Sequence, residues 1–368
     1  MNNPRVTVIT PVYNGLPYLK ESIESTLNQS MKDFELLVIV DGMEGNKDGS
    51  YECVLEYAAK DSRIRVVFNE QNLGTSRTMN KGIELAKAPY VARLDQDDVS
   101  LPARLEKQLA YLEAHPELSI VCSWEYGIDG QSRRVRNWRG AVKNYGGFLG
   151  PLLVNKCPIW HPSIMFKKEA MEQVGGYDRA YQPCEDFELT MRLAIKGHRT
   201  AIVPEYLVSQ RHHGQRQSVT RLEGQTQAAA RAHQEMIKQF FNGPEAMQLG
   251  RLLRIDKQLF SEIKSKEELL KVLSALNQTL RTMRERLHIS DEEYKTMAEI
   301  VYHRLGRGVK YSNTLQHLPS PLFFPTFFTL SPFLSPTLRS FAVLTYEFVH
   351  ELRYPGRLLR AGLERRDK

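Results

Sequence analysis

Apolar positions between residues 5 and 123 follow two alternating periods. Short runs dominated by branched and other apolar residues, RVTVIT, ELLVIV, IRVVF, YVARL and LSIVCSW, have the length of buried strands. Between them lie segments with helical spacing: Leu19, Ile23 and Leu27, then YECVLEYAAK, then Ser76 to Lys87 and Pro102 to Glu113. Strands that alternate with helices imply right-handed crossovers and a mostly parallel sheet, an α/β architecture. In such sheets ligands bind beyond the carboxyl ends of the strands. That rule singles out Pro11 to Asn14, Asp41 and Gly42, Asn69 to Gly74, and Asp95 to Asp98.

Residues 124 to 225 are less regular. Gly146, Gly147 and Gly150 read as turns, as do Gly175 and Gly176; Ser163 to Lys167 reads as a short strand, and a helix is expected from about Glu185. This stretch is expected to complete the same domain. From Gln225 to about Val309 the period is helical, with Leu269, Leu273, Leu276, Leu280, Met283 and Leu287 on one face. Ser265 with Glu268 and Ser290 with Glu293 form two capping boxes that mark helix starts.

Asp95-Gln96-Asp97-Asp98 places three carboxylates within four residues after a buried-looking strand. Their repulsion calls for a compensating cation or for hydrogen bonds. Oxygen ligands suit Mg²⁺ or Mn²⁺, and an Asp-rich turn before the helix near Pro102 explains the same residues equally well.

Five stretches in order carry a resemblance: VTVITPVYNG, FELLVIVDG, NEQNLGTSRTMNKGIELA, YVARLDQDD followed by LPARLEKQ, and HPSIMF with GGYD, CEDFELTMRLA and RHHGQRQS. From about Val6 to Ser218 the chain resembles the family 2 glycosyltransferases, whose nucleotide-diphosphosugar-binding fold is called GT-A. The resemblance implies a doubly wound GT-A domain over 1–224; the periodicity and composition beyond it are read as a helical region over 225–317 and a tail over 318–368. The resemblance assigns Thr10, Pro11 and Asp41 to the nucleoside half of the donor. Asp95 and Asp97 become the family's D-x-D motif, with Asp97 a direct ligand of Mn²⁺ or Mg²⁺ and Asp95 nearer the ribose or a metal-bound water. His213 is implied as a further metal ligand and Arg211 as facing the diphosphate. Asp186 is the implied catalytic base, with Glu185 as its alternative; both acids would also suit the N-terminus of a helix. His161 falls on the acceptor side or packs beneath the site.

The sequence departs from the family in three places. A single Asp41 precedes Gly42, Met79 stands where relatives often have Arg, and Gln210 replaces an aromatic residue. Arg77, Lys81 or Arg93 would then have to place positive charge near the phosphates. The implied reaction is a single displacement with inversion, from a UDP-linked hexose by default and a dTDP-sugar second, to a glycan or lipid-linked acceptor in cell-surface polysaccharide synthesis. The competing reading is a catalytically inert donor-binding scaffold of a polysaccharide assembly complex.

Composition changes this picture little. With 42% hydrophobic and 25% charged residues among 368, the chain is an ordinary globular one. Four cysteines without a C-x-x-C pair argue against a disulfide framework and a structural zinc site. Fifty Lys and Arg against 43 Asp and Glu suit an anionic partner. No nucleic-acid-binding signature accompanies that charge. The N-terminus lacks a secretory pattern, so a cytoplasmic location is expected. Leu318 to Pro336 contains five prolines and cannot form one regular spanning helix. Its five Phe, followed by a basic stretch, suit a segment lying on the inner face of an anionic membrane, with packing on the helical region as the alternative.

Overall fold

The computed structural model describes residues 3–43, 47–213, 222–256, 259, 262 and 266–311. The expected alternation is present: β1 (Val6–Val12), α1 (Leu19–Leu27), β2 (Phe34–Asp41), α2 (Ser50–Lys60), β3 (Ile64–Asn69), α3 (Thr75–Leu85) and β4 (Tyr90–Arg93). These strands pair in parallel, in the order β3-β2-β1-β4. Every residue of β2 is buried, which is why it reads as a continuous apolar run. Helix α3 packs closely because Gly82 has no side chain: a Cβ there would lie 2.7 Å from Ile9 Cγ2.

The second half adds β5 (Val99–Ser100), α4 (Arg104–Ala114), β6 (Leu118–Ile128), β7 (Arg134–Trp138), α5 (Tyr145–Leu153), β8 (Met165–Lys167), α6 (Lys168–Gln173), α7 (Glu185–Ile195) and β9 (Arg199–Arg211). The sheet continues β4-β8-β6-β9-β5, with β7 on β6. Antiparallel β8 joins the two parallel parts, β1 to β4 and β6 with β9. The result is a mixed, mostly parallel GT-A sheet.

One element corrects the sequence reading. Gly146, Gly147 and Gly150 lie in helix α5 rather than in turns. Asn144 caps it by accepting from Gly147 N at 2.9 Å, and all but one of its residues are buried, so packing overrides poor propensity. β9 runs thirteen residues through Pro204. Its register against β6 shifts between Ser123 and Trp124, so the missing N–H of Pro204 falls at an irregularity in the ladder.

The chain divides after Met236, inside α8 (Leu222–Phe240). The second unit holds α9 (Ala246–Arg254), α10 (Lys266–Arg286) and α11 (Asp291–Tyr311). Leu273, Leu276, Leu280 and Met283 are buried along α10, as their spacing predicts. The Ser290–Glu293 capping box opens α11: Glu293 Oε2 accepts from Ser290 N at 3.0 Å, and Glu293 N donates to Ser290 Oγ at 3.3 Å. Ser265 and the tail over 318–368 lie outside the described residues, so the second capping box and the membrane-facing tail remain expectations. All four cysteines are unpaired.

Candidate active site

The strand order reverses between β1 and β4, and a cavity of about 520 Å³ opens there at the carboxyl ends of the strands. Pro11, Asp41, Asp95, Asp97, His161, Glu185, Asp186 and His213 all line it. Eight of the eleven residues singled out from the sequence are thus brought together. Thr10, Arg77 and Arg211 are not among the lining residues.

Each exception has a physical reason. The Thr10 side chain is buried within β1, next to Val38 of β2, and its neighbour Pro11 reaches the cavity instead. Arg77 is on the exposed face of α3. Arg211 is only 1% exposed and bonds to the protein itself. Its Nε donates to Asp97 O at 2.9 Å, Nη1 to Asp129 O and Ser132 Oγ at 2.9 Å, and Nη2 to Glu21 Oε2 at 2.5 Å, with Tyr18 packed 4.5 Å from the guanidinium. Arg211 therefore fixes the acidic loop from behind rather than facing a diphosphate. Lys81 is likewise engaged, donating to Phe68 O and Asn69 Oδ1, and Met79 is fully buried.

The acidic loop is held at every residue. Asp95 Oδ1 accepts from Arg93 Nε at 2.7 Å, and Asp95 O accepts from Ser22 Oγ at 3.0 Å. The Gln96 amide pairs with the backbone of Tyr13, accepting from its N–H at 2.8 Å and donating to its carbonyl at 3.1 Å. Asp98, the third carboxylate of the run, is 2% exposed and accepts from Arg211 N at 2.8 Å. Burial, with Asp97 and Asp95 adding to it, pushes its carboxyl well above the ordinary range. Asp97 is left facing the cavity, where its Oδ2 lies 2.8 Å from His213 Nε2.

Asp41 has two tasks. Its Oδ1 accepts from Asn69 Nδ2 at 2.8 Å and Leu73 N at 2.9 Å, and its Oδ2 accepts from Gly74 N at 2.9 Å. It shapes the loop before α3 and still borders the cavity. Gly42 has φ +84°, and a Cβ there would approach Asn72 N to 2.6 Å, so glycine is required.

Glu185 and Asp186 open α7, with Glu185 buried and Asp186 partly exposed to the cavity. Burial raises both carboxyls above their ordinary values, against backbone hydrogen bonds that lower them. Helix α7 is anchored by Arg192, whose Nη2 donates to Gly176 O and Glu188 Oε2 at 2.7 Å.

A supporting chain that sequence reading missed runs beneath these groups. Asn80 brackets Tyr177, accepting from its N–H at 2.7 Å and donating to its carbonyl at 2.9 Å. Tyr177 Oη lies 2.8 Å from His161 Nε2, which is also 3.3 Å from Arg93 Nη1. An arginine only donates, so Nε2 is the accepting nitrogen and the imidazole is neutral. Burial, reinforced by Arg93, holds the His161 pKa well below its usual value. Arg93 itself is held firmly protonated, since its burial, which opposes the charge, is outweighed by Asp95, Tyr177 and Glu185 together. Arg104, fully buried, donates to the carbonyls of Arg93, Pro162 and Ile164. His161 thus belongs to the cavity wall and is anchored from below. For Tyr177 the available signal was GGYD, where Gly176 at φ +68° leaves no room for a Cβ against Asn80.

The chain is similar to known proteins in sequence and in fold. Residues 7–175 fit the family described as Glycosyl transferase family 2. An uncharacterized glycosyltransferase of Methanocaldococcus jannaschii is 32% identical over 212 residues, covering 57% of this chain and 72% of that protein. The amylovoran biosynthesis glycosyltransferase AmsE of Erwinia amylovora is 30% identical over 195 residues, covering 52% of this chain and 70% of that protein. Among solved structures, residues 1–349 of S. aureus TarS in complex with UDP-GlcNAc align with a TM-score of 0.54 at 17% identity, covering 87% of this chain and 93% of that one. With a relative above 30% identity covered over more than two thirds of its length, and with the same fold, the chain belongs to glycosyltransferase family 2 and is a glycosyltransferase.

Proposed function

We propose that this glycosyltransferase inverts the anomeric centre, depends on a divalent cation, and moves a sugar from a nucleotide diphosphosugar to a glycan or lipid-linked acceptor in cell-surface polysaccharide synthesis. The observation that carries this reading is the meeting, in one cavity, of the Asp97–His213 pair with the partly exposed Asp186. A UDP-sugar is the favoured donor, because solved relatives of the same fold bind UDP and UDP-GlcNAc.

A carboxylate and a neutral imidazole form a donor set that suits Mn²⁺, and Mg²⁺ with the carboxylate. Among the described residues no group of three His, Cys, Asp or Glu surrounds a single point. A cation held by two protein groups and completed by diphosphate oxygens fits that arrangement. When bound, it would supply the positive charge that a leaving nucleoside diphosphate requires. Asp97 and His213 would hold it, while Asp95, bound to Arg93, and Asp41 border the nucleoside side.

Asp186 would take the proton from the attacking acceptor hydroxyl. Its pKa, raised by burial, makes it a stronger base than an ordinary aspartate. Glu185 is more deeply buried and is the second candidate. No covalent intermediate is needed in a single displacement. The expected location is the cytoplasmic side of the membrane. No helix among the described residues is long and apolar enough to cross a membrane.

The test is a thermal-shift screen of UDP, GDP, dTDP and CDP, each with and without Mn²⁺ or Mg²⁺, on the wild type and Asp97→Ala. Saturation at a hundred times Kd stabilises the native state by about 2.7 kcal/mol. A metal-dependent shift with one nucleotide, lost in Asp97→Ala, is expected. Folded protein that responds to no pair would support the inert scaffold instead.

A further inference from the structure

From Gly130 to Lys168 the chain holds eight Lys and Arg and no Asp or Glu. Four of these, Arg133, Arg134, Arg136 and Arg139, fall on or beside β7, whose residues are exposed apart from the half-buried Trp138. Arg133 pairs with Asp129. Among the described residues no carboxylate pairs with Arg134, Arg136 or Arg139.

These three arginines sit on aromatic rings. Arg134 lies 3.8 Å over the ring of Tyr126, which stacks on Tyr206 with centroids 4.0 Å apart and planes 7° apart. Arg139 lies 5.1 Å from the ring of Trp124 and 5.3 Å from that of Tyr206, and its Nε donates to Tyr206 Oη at 2.5 Å. Arg136 lies 5.3 Å from the ring of Trp138. Charge on an exposed edge strand serves to block edge-to-edge pairing. That purpose needs neither stacked rings nor the removal of every acid from 39 residues, and it leaves the half-buried Trp124, Tyr126 and Tyr206 unexplained.

The surface runs into the rim of the cavity. Arg136 pairs with Gly127 across β7 and β6, and Gly127 pairs with Gln210 across β6 and β9, where Gln210 lines the cavity. Two strand spacings of about 4.8 Å each place Arg136 roughly 10 Å from that rim. Trp138 also packs on His212, 4.9 Å between centroids, next to the cavity residue His213.

We infer that the β6–β7 hairpin binds an acidic glycan chain with carboxylates on its sugar rings, and that this chain is the acceptor whose end enters the cavity. The assignment of the chain as acceptor rests on the glycosyltransfer reading above; the binding does not. The stacked rings hold the guanidinium groups in a fixed row on the surface, where they meet carboxylates as bidentate forks. A carboxylate on the ring itself brings its charge within reach of an arginine stacked on the neighbouring aromatic. The carboxylate-rich cavity floor repels such a chain, so its internal acidic residues are held outside on the arginines and only its terminal hydroxyl is presented to Asp186.

The experiment uses the full chain and a fluorescently labelled oligogalacturonate, with labelled dextran of matched length as the neutral control and a thymidine oligonucleotide as the nucleic-acid control. Anisotropy titrations compare the wild type with an Arg134→Gln/Arg136→Gln/Arg139→Gln variant and with Arg134→Lys. The expected result is binding of oligogalacturonate over dextran, weakened at least tenfold in the triple variant and partly in Arg134→Lys. The metal-dependent nucleotide shift should be unchanged in both. Equal binding of acidic and neutral chains, undiminished binding in the triple variant, or tighter binding of the oligonucleotide than of the glycan would overturn the inference. Because the nucleotide shift is read separately, its loss in the wild type would count against the donor site alone.

Discussion

Asp97 and Asp186 place carboxylates in the cavity, while Arg104 and Arg211 turn away from it and bond to carbonyls and a carboxylate of the fold, and Arg93, which reaches the cavity wall, is tied to Asp95. The layers carry opposite charge and different duties. The upper layer keeps acids available to a cation and an acceptor. The lower layer binds its positive charge within the fold, and so holds the acids where their mutual repulsion would otherwise spread them. A basic residue near a phosphate-binding cavity is therefore not by its nearness a phosphate ligand.

Substitutions in the two layers should separate function from folding. The largest effect is expected for Asp186→Asn, which removes a general base worth roughly 100- to 10,000-fold in rate. Nucleotide binding and melting temperature should stay near wild type, and transfer at the native rate would move the base to Glu185. Below, Arg211→Met should lower stability by about 3 kcal/mol, because buried carbonyls of Asp97 and Asp129 lose their donor. Urea unfolding measures this, and Arg211→Lys should recover little, since one ammonium cannot reach partners placed for a fork. A variant as stable as wild type but unable to bind nucleotide would return Arg211 to the ligand.

Smaller effects test how the wall is anchored. Gly176→Ala combines a φ of +68° with a Cβ placed 2.3 Å from Asn80 Oδ1, and about 2 kcal/mol of destabilisation is expected by the same unfolding measurement. His161 gives a pH signature. Its folded pKa lies well below that of the unfolded chain, so the unfolded state binds a proton first as pH falls. Its contribution to stability is complete above the unfolded value and declines below about pH 6.5, by at most about 1.4 kcal/mol per pH unit. In His161→Gln that part of the slope between pH 6.5 and 5 should vanish. An unchanged slope would show that the imidazole protonates in the fold, against its acceptance from Arg93.

How much was legible from sequence differs between the halves of the sheet. β1 to β4 and their helices stand out because β1, β2 and β4 are almost wholly buried and each helix shows one apolar face. α5 hides behind three glycines and a proline, since its stability comes from burial on nearly all sides rather than from propensity. β7 hides because four of its five residues are exposed and no apolar alternation marks it. Within the site, Asp97, His213 and Asp186 were singled out by the family resemblance, and all three line one cavity. Arg211 was placed wrongly because a sequence gives the charge of a side chain and not the direction in which it points. The chain of Asn80, Tyr177, His161 and Arg93 joins residues up to 97 apart, beyond any local pattern.

The contact between Gln96 and Tyr13 has a consequence for motion. Parallel pairing of β1 with β4 continues only to the bond from Leu94 N to Ile9 O. The Gln96 amide then supplies one further rung, with side-chain atoms standing in for a peptide group. The mouth of the crevice is stitched at its base, and the two loops beside it are expected to breathe together. Tyr13, although 42% exposed, should therefore keep its amide hydrogen nearly as long as the strand interior in deuterium exchange, and should lose that protection in Gln96→Ala.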